Sequence, residues 1–377
     1  MQSTDHAQSV SFHPITKMFM IPTFQVHITG ERHLVKQKVE SKDSDIFILD
    51  DIPGFGPVTI QNLNKFGIET KVDIYTRGWV DVMNITGLDR TKMVPVMAFC
   101  REVLIAKKRL GEKEQTASQA LKERGKIKKL TTGSSAFDKI LGGGFESKSI
   151  TEISGPSESG KSTICFTLAC LAPRLVKDGG LTTDPKRPAT TIFIDTEKRF
   201  RPERIKQILL NRGLTNEQNL EKIMESTIVK IDVHDSGQML TTFEMLNSLI
   251  EEINCKLLIV DSGTSLFRQE MSEMGIMGVR SRYLNRMMRS LTNLCDVHDM
   301  IIIFVNQVYQ SPDAYTFALL QYGGHVVGHA VTYRVTLKKK SKVWVATAKD
   351  FPHLPPDDAE FMITNKGIED VQRKEAK

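Results

Sequence analysis

An eight-residue string with two glycines and a lysine constrains this chain more than any other part of its 377 residues. Gly155 to Ser162 reads GPSESGKS and matches the pattern GxxxxGK(S/T). Apolar residues lead up to Ser154, and a stretch with helical character follows at 163–171. A strand, a glycine loop and a helix in this order predict a phosphate-binding loop, because the glycines let successive amides point at anionic oxygens.

The residues of this loop predict a nucleotide site. Lys161 is expected to reach the β and γ phosphates, and the Ser162 hydroxyl is expected to ligate Mg²⁺. The predicted phosphate-contacting residues are Gly155, Pro156, Ser157, Glu158, Ser159, Gly160, Lys161, Ser162 and Thr163.

Two other apolar runs end in carboxylates. Asp261 follows the run LLIV, and it is expected to support the metal at the end of a buried strand. The second run ends in Asp195, Thr196 and Glu197. Glu197 is the candidate that polarises an attacking water, and Asp195 is interpreted as structural.

The pattern of apolar residues predicts two folded parts. Residues 45–107 read as short helices punctuated by glycine turns, which indicates helical hairpins. After residue 130, nearly unbroken apolar runs alternate with helical stretches, which predicts parallel strands covered on both faces. The expected strands are 149–154, 190–195, 256–261 and 300–306, followed by an antiparallel extension at 330–338, 342–348 and 360–365.

The predicted organisation therefore has four segments. Residues 1–44 form a poorly ordered extension, 45–107 a small all-helical domain, 108–129 a basic linker and 130–377 an α/β core.

The composition of the chain limits the classes of partner that it is expected to bind. The chain has 51 basic and 45 acidic residues, and its charge of +6 permits a nucleic-acid partner without implying one. Five cysteines without a CxxC pair favour a reducing compartment and argue against zinc. The apolar runs are far shorter than the roughly 18 residues of a membrane helix, and the N-terminus lacks the pattern of an export signal, so no membrane partner is expected.

Several further motifs resemble the DNA strand-exchange recombinases of the RecA/RadA type. The similarity covers about residues 45–370 and is greatest to the archaeal and eukaryotic branch, particularly its meiotic recombinase. The stretches that carry it are LTTGS at 130–134, FDKILGGGFE at 137–146, FIDTE at 193–197, FRPER at 200–204, NQV at 306–308 and GGHVVGHA at 323–330.

This resemblance implies a P-loop RecA-like core, a helix-hairpin-helix domain ahead of it, and ATP and Mg²⁺ as cofactors. It implies that Glu197 acts with Lys161 in catalysis and that Gln307 senses the γ phosphate. It also implies that Arg204 stacks on adenine. His329, Asp350 and Pro352 match groups that approach ATP bound to the neighbouring copy, which implies a filament or a ring.

DNA contacts are expected from two loops, at about 268–280 and 309–322. Arg268 and Arg280 match phosphate-contacting arginines of the family, and the second loop keeps Phe317. On the following helix Arg282, Arg286 and Arg289 line one face, either as a solvated face or as a phosphate track. The hairpin glycines Gly54, Gly56 and Gly87 either offer amides to DNA phosphates or are plain turns.

The chain also departs from the family pattern. Residues 114–117 read EQTA where the family has the phenylalanine of a self-assembly tether, and only Ala117 matches. Met274 replaces a usual arginine in the first DNA loop, and the second loop is shorter and lacks the usual lysines. Lys198 and Arg199 stand where small or polar residues are usual, and Glu158 takes the place of an arginine. Weaker DNA binding with a shallower salt dependence is expected.

The leading functional hypothesis is an ATP-dependent recombinase that assembles on single-stranded DNA and exchanges it into a homologous duplex. An alternative is a recombinase paralogue that binds ATP and partners and acts as a mediator or adaptor without exchanging strands. A replicative helicase shares such a core, but the helix-hairpin-helix prefix does not suit it. The expected location is the nucleus in a eukaryote and the cytoplasm or nucleoid otherwise.

Overall fold

The computed structural model describes residues 47–271, 277–310 and 319–372. The first described elements are four helices. They are α1 Pro57–Lys65, α2 Lys71–Arg77, α3 Trp79–Thr86 and α4 Arg90–Ala106. Short connections that contain glycine join α1 to α2 and α2 to α3, which is the arrangement of the predicted helical hairpins. The predicted extension 1–44, Met274 and Phe317 lie outside the described residues.

Turn chemistry sets the boundaries of these helices, which we call the helical module (residues 47–106). Pro57 begins α1, where its fixed φ suits the first turn and its missing N–H leaves nothing unsatisfied. Thr70 and Asp73 cap the start of α2 reciprocally through side chain and backbone. α3 ends at Gly87, which takes the left-handed conformation at φ +70°.

A fifth helix, α5 Ala117–Arg124, lies within the segment predicted as a linker. Thr116 and Gln119 form a capping box at its start. Every residue of α5 is exposed, and Leu121 keeps 72% of its accessible surface. Sequence reasoning missed this helix because it buries no apolar face, so its sequence carries no clear 3.6-residue period.

The remaining elements form the core, and they alternate strands with helices. In chain order they are β1 Lys129–Leu130, α6 Ser135–Ile140, β2 Phe145–Glu146, β3 Ser149–Gly155, α7 Lys161–Leu171, β4 Thr190–Asp195, α8 Pro202–Asn211, α9 Leu220–Thr227, β5 Ile228–Asp232, α10 Ser236–Glu244, α11 Leu246–Glu252, β6 Cys255–Asp261, α12 Ser265–Glu270, α13 Met277–His298, β7 Ile301–Gln310, β8 Leu319–Gln321, α14 Gly324–Ala330, β9 Tyr333–Lys340, β10 Val343–Asp350, β11 Asp357–Thr364 and β12 Gly367–Asp370.

One large sheet dominates the core. Within the described residues its strand order is β12-β11-β10-β9-β3-β7-β6-β4-β5, and β8 pairs with β7. The strands β3, β7, β6, β4 and β5 run parallel, whereas β9 to β12 form an antiparallel extension. A separate two-stranded sheet joins β1 to β2. The α/β fold class and the antiparallel extension are therefore as predicted.

Both faces of the central strands are covered. Ile301 and Ile303 of β7 pack on the face covered by α7 and α8, whereas Ile302 and Phe304 pack on the face covered by α10 and α13. This double burial explains the unbroken apolar runs of these strands. The short or edge strands β5, β8 and β12 were not predicted, because strands of three to five residues carry little pattern.

A buried amide joins the helical module to the core. Asn247 of α11 donates from Nδ2 to Asp73 Oδ1 at 2.8 Å and to Thr76 Oγ1 at 2.6 Å. Its Oδ1 accepts from His298 Nε2 at 2.9 Å. Burial, aided by nearby cationic charges, lowers the pKa of His298 to about 3, so the imidazole is neutral. Every polar atom of the Asn247 amide group thus has a defined partner.

Candidate nucleotide site and DNA-facing surface

Glycine geometry builds the phosphate loop at the end of the central strand β3. Gly155 has no room for a side chain, because a Cβ there would lie 2.6 Å from both Leu337 O and Ser159 Oγ. Gly160 takes φ +92° as α7 begins. The nine predicted phosphate-contacting residues, 155–163, thus form one loop and the first turn of a helix whose leading amides lack helical partners.

The ammonium group of Lys161 closes the loop from inside. Its Nζ donates to the carbonyl oxygens of Gly155 and Pro156 at 2.8 and 2.7 Å. Burial lowers the pKa of Lys161, while the nearby charge of Asp261 opposes that shift. A cation held by two loop carbonyls is placed to exchange them for phosphate oxygens.

The predicted metal ligands are in contact. Ser162 Oγ donates to Asp261 Oδ2 at 2.9 Å, and Asp261 is 4% exposed at the end of β6. Burial raises the pKa of Asp261 to about 6; the Ser162 hydrogen bond opposes this rise and the charge of Glu197 adds to it. A hydroxyl and a carboxylate are the hard oxygen donors that Mg²⁺ prefers, so this pair fits the cation and residues 155–163 fit a triphosphate.

A tight loop after β4 presents Glu197. The Asp195 carboxylate accepts the backbone N–H groups of Glu197, Arg199 and Phe200 at 3.2, 3.0 and 2.9 Å. Lys198 takes the left-handed conformation at φ +55°, which a lysine adopts only at some cost. Asp195 therefore shapes the loop, in line with its structural interpretation.

Both carboxylate oxygens of Glu197 have partners. Gln307 Nε2 donates to Oε1 at 2.8 Å, and Arg199 Nε lies 3.0 Å from Oε2. The Glu197 side chain is 10% exposed, whereas Arg199 is 54% exposed. The structure thus brings the two predicted site residues Glu197 and Gln307 into contact, and it adds Arg199, to which sequence reasoning gave no role.

From Gln307 a chain of contacts leads to the ends of the two loops that are predicted to contact DNA. Arg268 Nη1 donates to Gln307 Oε1 at 3.2 Å, and the Arg268 guanidinium lies 4.7 Å from the ring centroid of Tyr322. Tyr322 in turn packs against Tyr309, with 4.6 Å between ring centroids. Sequence reasoning used the two tyrosines only as loop boundaries. Their aromatic character on both sides of one loop is the signal that could have found the pair.

The two predicted DNA-contacting arginines line one pocket. Arg268 and Arg280 both border this small pocket. Its other walls are Thr264, Phe267, Leu284, Tyr322 and Gly323. Arg268 comes from α12 and Arg280 from α13, the helices before and after residues 272–276, so each helix contributes one cationic side chain to this pocket.

The predicted adenine contact, Arg204, lies at the start of α8. It donates to Gln207 on its own helix and to the carbonyl oxygen of Thr364 at the end of β11. Burial lowers the pKa of Arg204. These partners hold the guanidinium between α8 and the antiparallel extension, and its contact with adenine stays a prediction.

The three predicted contacts to a neighbouring nucleotide are exposed. His329 lies on α14, where its ring stacks on that of His325 at 5.8 Å. Asp350 ends β10, and Pro352 follows two residues later.

The hairpin glycines and Arg286, all predicted to contact DNA phosphates, differ in how open their surroundings are. A Cβ at Gly54, Gly56 or Gly87 would meet no described atom within 4 Å, so these backbones lie open. Arg286 instead pairs with Asp81 at 3.1 Å and with Glu244 at 2.5 Å. The structure places Arg286 between the module and the core rather than on an open phosphate track, and its DNA contact stays a prediction.

These features define the class of the protein. A glycine loop between the central strand β3 and helix α7, with Asp261 at the end of a neighbouring strand, is a P-loop nucleotide-binding core of the RecA-like type. No described helix has the length and hydrophobicity that a bilayer-spanning helix requires.

Comparison with known proteins identifies the family. The Rad51 family model matches residues 123–371. The chain is 34% identical over 330 residues to the RadA protein of Methanococcus maripaludis, covering 86% of this chain and 99% of the relative. It is 34% identical over 339 residues to RadA of Aeropyrum pernix, covering 89% and 99%. RadA of Cenarchaeum symbiosum is 33% identical over 328 residues, covering 86% and 80%.

The chain belongs to the Rad51 family. This confirms the resemblance to recombinases of the RecA/RadA type and to their archaeal and eukaryotic branch. The relatives carry the name DNA repair and recombination protein RadA.

Proposed function

We propose that this protein is an ATP-dependent DNA recombinase that assembles on single-stranded DNA and catalyses homologous pairing and strand exchange in double-strand-break repair. The observation that carries the proposal is one continuous chain of contacts. It runs from Glu197 through Gln307 and Arg268 to Tyr322. The first end lies beside the P-loop, and the last lies beside the second DNA loop.

The nucleotide half of the site supports hydrolysis. Lys161 would neutralise phosphate charge, and Ser162 and Asp261 would hold Mg²⁺. Glu197 orients water and takes up its proton at a carboxylate oxygen. ATP, when bound, supplies the phosphoryl group that is transferred to this water.

The position of Gln307 supports coupling between nucleotide and DNA. Its amide donates to Glu197 and accepts from Arg268, so a movement of either partner changes the hydrogen bonding of the other. A DNA phosphate that draws Arg268 away from Gln307 alters the hold on Glu197. DNA binding and ATP turnover are thereby linked through one side chain.

Assembly completes the nucleotide site in this proposal. His329, Asp350 and Pro352 are exposed, as groups must be that meet a triphosphate bound to another copy. ATP between adjacent copies then stabilises a filament or ring, and its hydrolysis loosens the DNA. Base pairing rather than protein side chains tests the match between strands.

The relatives extend the proposal to a cellular role. Proteins named for DNA repair and recombination match 86 to 89% of this chain, and we assign that role to it. Single-stranded and double-stranded DNA are the proposed partners, with recombination mediators as further ones. A meiotic role and a nuclear or nucleoid location stay predictions.

One observation favours the alternative of an adaptor without strand exchange. The segment aligned with the family's assembly tether has Glu114 in place of phenylalanine, and α5 after it is exposed throughout. An adaptor would bind ATP and partners yet form only small complexes on DNA.

Strand invasion into a supercoiled duplex tests the proposal. With ATP and Mg²⁺, the protein is expected to form joint molecules with a homologous duplex and none with a heterologous one. Electron microscopy of the same mixtures should find helical filaments. ATP binding without joint molecules or filaments would instead identify the adaptor.

A further inference from the structure

Glu197 is held from two sides, and only one of them leads to DNA. Gln307 contacts Oε1 and continues to Arg268, whereas Arg199 contacts Oε2 from within the same loop as Glu197. The Asp195 carboxylate fixes the backbone of both Glu197 and Arg199, so the two side chains emerge next to each other. The Arg199 contact is therefore a local feature of the nucleotide site.

The burial of the two partners is unequal. Glu197 is 10% exposed and is confined, while Arg199 is 54% exposed and can turn toward solvent. A part-exposed ion pair of this kind is weak, so it opens readily without disturbing the loop. A water that is to be polarised must compete with Arg199 for the second carboxylate oxygen.

We propose that Arg199 restrains ATP hydrolysis in the absence of DNA, by occupying the oxygen of Glu197 that Gln307 leaves open. In this proposal Gln307 responds to DNA through Arg268. Arg199 keeps the rate of ATP hydrolysis low while no DNA is bound. Arg199 acts through Glu197 and is a positioning residue. The inference rests on the proposed ATPase function and deepens its regulation.

The central test is Arg199→Ala in the full chain, with ATP turnover measured with and without single-stranded DNA. The DNA-free kcat is expected to rise about three- to fivefold, the size of a weak ion pair, and KM for ATP is expected to stay within about twofold. The stimulation by DNA, taken as a ratio, falls accordingly. Arg199→Lys keeps a cation beside Glu197 and should recover part of the restraint.

Arg201→Ala is the matched control. Arg201 donates to the carbonyl oxygens of Lys198 and Phe200, so its loss removes an arginine and loosens the same loop without touching Glu197. Its DNA-free turnover should match that of the unaltered chain. An equal rise in both variants would assign the effect to the loop and overturn the proposal.

A double variant locates the effect at Glu197. Adding Arg199→Ala to Glu197→Gln should give no further rise in turnover, since the restraint acts only through the carboxylate. A fall in kcat with a raised KM in Arg199→Ala would show that Arg199 serves the phosphates directly, which contradicts the restraint. Unchanged turnover in that variant overturns the inference alone. Absence of any ATP turnover in the unaltered chain overturns the proposed function and the inference with it.

Discussion

The nucleotide site and helix α5 differ in how far their side chains are exposed and in how many contacts fix them. Asp261 is buried and the Glu197 side chain is only 10% exposed, and each accepts a defined hydrogen bond from another element. Leu121 of α5 is 72% exposed, and the helix is held by its own capping box and by an ion pair from Arg124, at its last residue, to Glu146 of the core. Buried polar groups must be paired and have few possible arrangements, whereas an exposed helix takes its role from whatever binds it. The single chain therefore fixes the side chains of its own half of the nucleotide site, whereas α5 stays exposed throughout.

The largest effect is expected from Lys161→Ala. Without the ammonium, the phosphate charge is uncompensated, so nucleotide binding and ATP turnover should both be lost, while alanine preserves α7. Binding of a fluorescent ATP analogue measures this directly. Lys177→Ala, an exposed lysine on the same core, is the control. Undiminished ATP turnover in Lys161→Ala would refute the assignment of the phosphate loop.

Glu197→Gln is expected to separate binding from hydrolysis. Glutamine keeps the size of the side chain but cannot take up a proton, so turnover should fall about a hundredfold while ATP still binds. Complexes with single-stranded DNA should live longer, as dissociation kinetics would reveal. Glu203→Gln in the exposed first turn of α8 should leave turnover intact. If Glu197→Gln turns over normally, another residue orients the water.

A moderate effect is expected at Tyr322, where the contacts from Glu197 and Gln307 reach the second loop that is predicted to contact DNA. Tyr322→Ala removes the ring beneath Arg268, which should weaken stimulation of ATP turnover by DNA about threefold, the size of a cation–π contact. Tyr322→Phe keeps the ring and should keep the stimulation. Titrations with single-stranded DNA measure both variants. Equal loss in the two would mean that the hydroxyl matters and the stacking does not.

The last expected effect concerns assembly rather than the kinetics of one copy, and it lies at α5. If α5 meets a neighbouring copy through Leu121, Leu121→Glu should weaken assembly by about 2 kcal/mol, the value of burying one leucine, and shift the mass found by light scattering. Lys122→Glu makes a charge change at the adjacent exposed position and serves as control. Identical masses for both variants would remove α5 from the assembly surface.

The sequence predicts much of the nucleotide site because its residues end apolar strands or lie in a glycine motif. Gly155, Asp261 and Glu197 each follow a run that reads as a buried strand, and parallel strands bring their ends to one edge. The central strands were predicted for the same reason, since burial on both faces leaves unbroken apolar runs.

Other contacts could not be predicted, because they depend on distances that no local pattern encodes. Arg268 and Tyr322 are 54 positions apart by number, and only the packed sheet brings them together. The Arg199 contact with Glu197 depends on the left-handed backbone conformation of Lys198. A lysine rarely adopts this conformation, so the sequence does not predict it. Helix α5 has no apolar face from which a period could be read.

The Asn247 amide has a consequence for how this protein can be divided. Two of its three hydrogen-bond partners, Asp73 and Thr76, belong to α2, and Val297 of the core packs with Val72 of the same helix. A shortened chain that began after α4 would leave the amide N–H groups without acceptors and an apolar patch in water. Such a fragment should aggregate in solution. Its kinetic constants would then reflect the exposed apolar surface and not the properties of the core in the full chain.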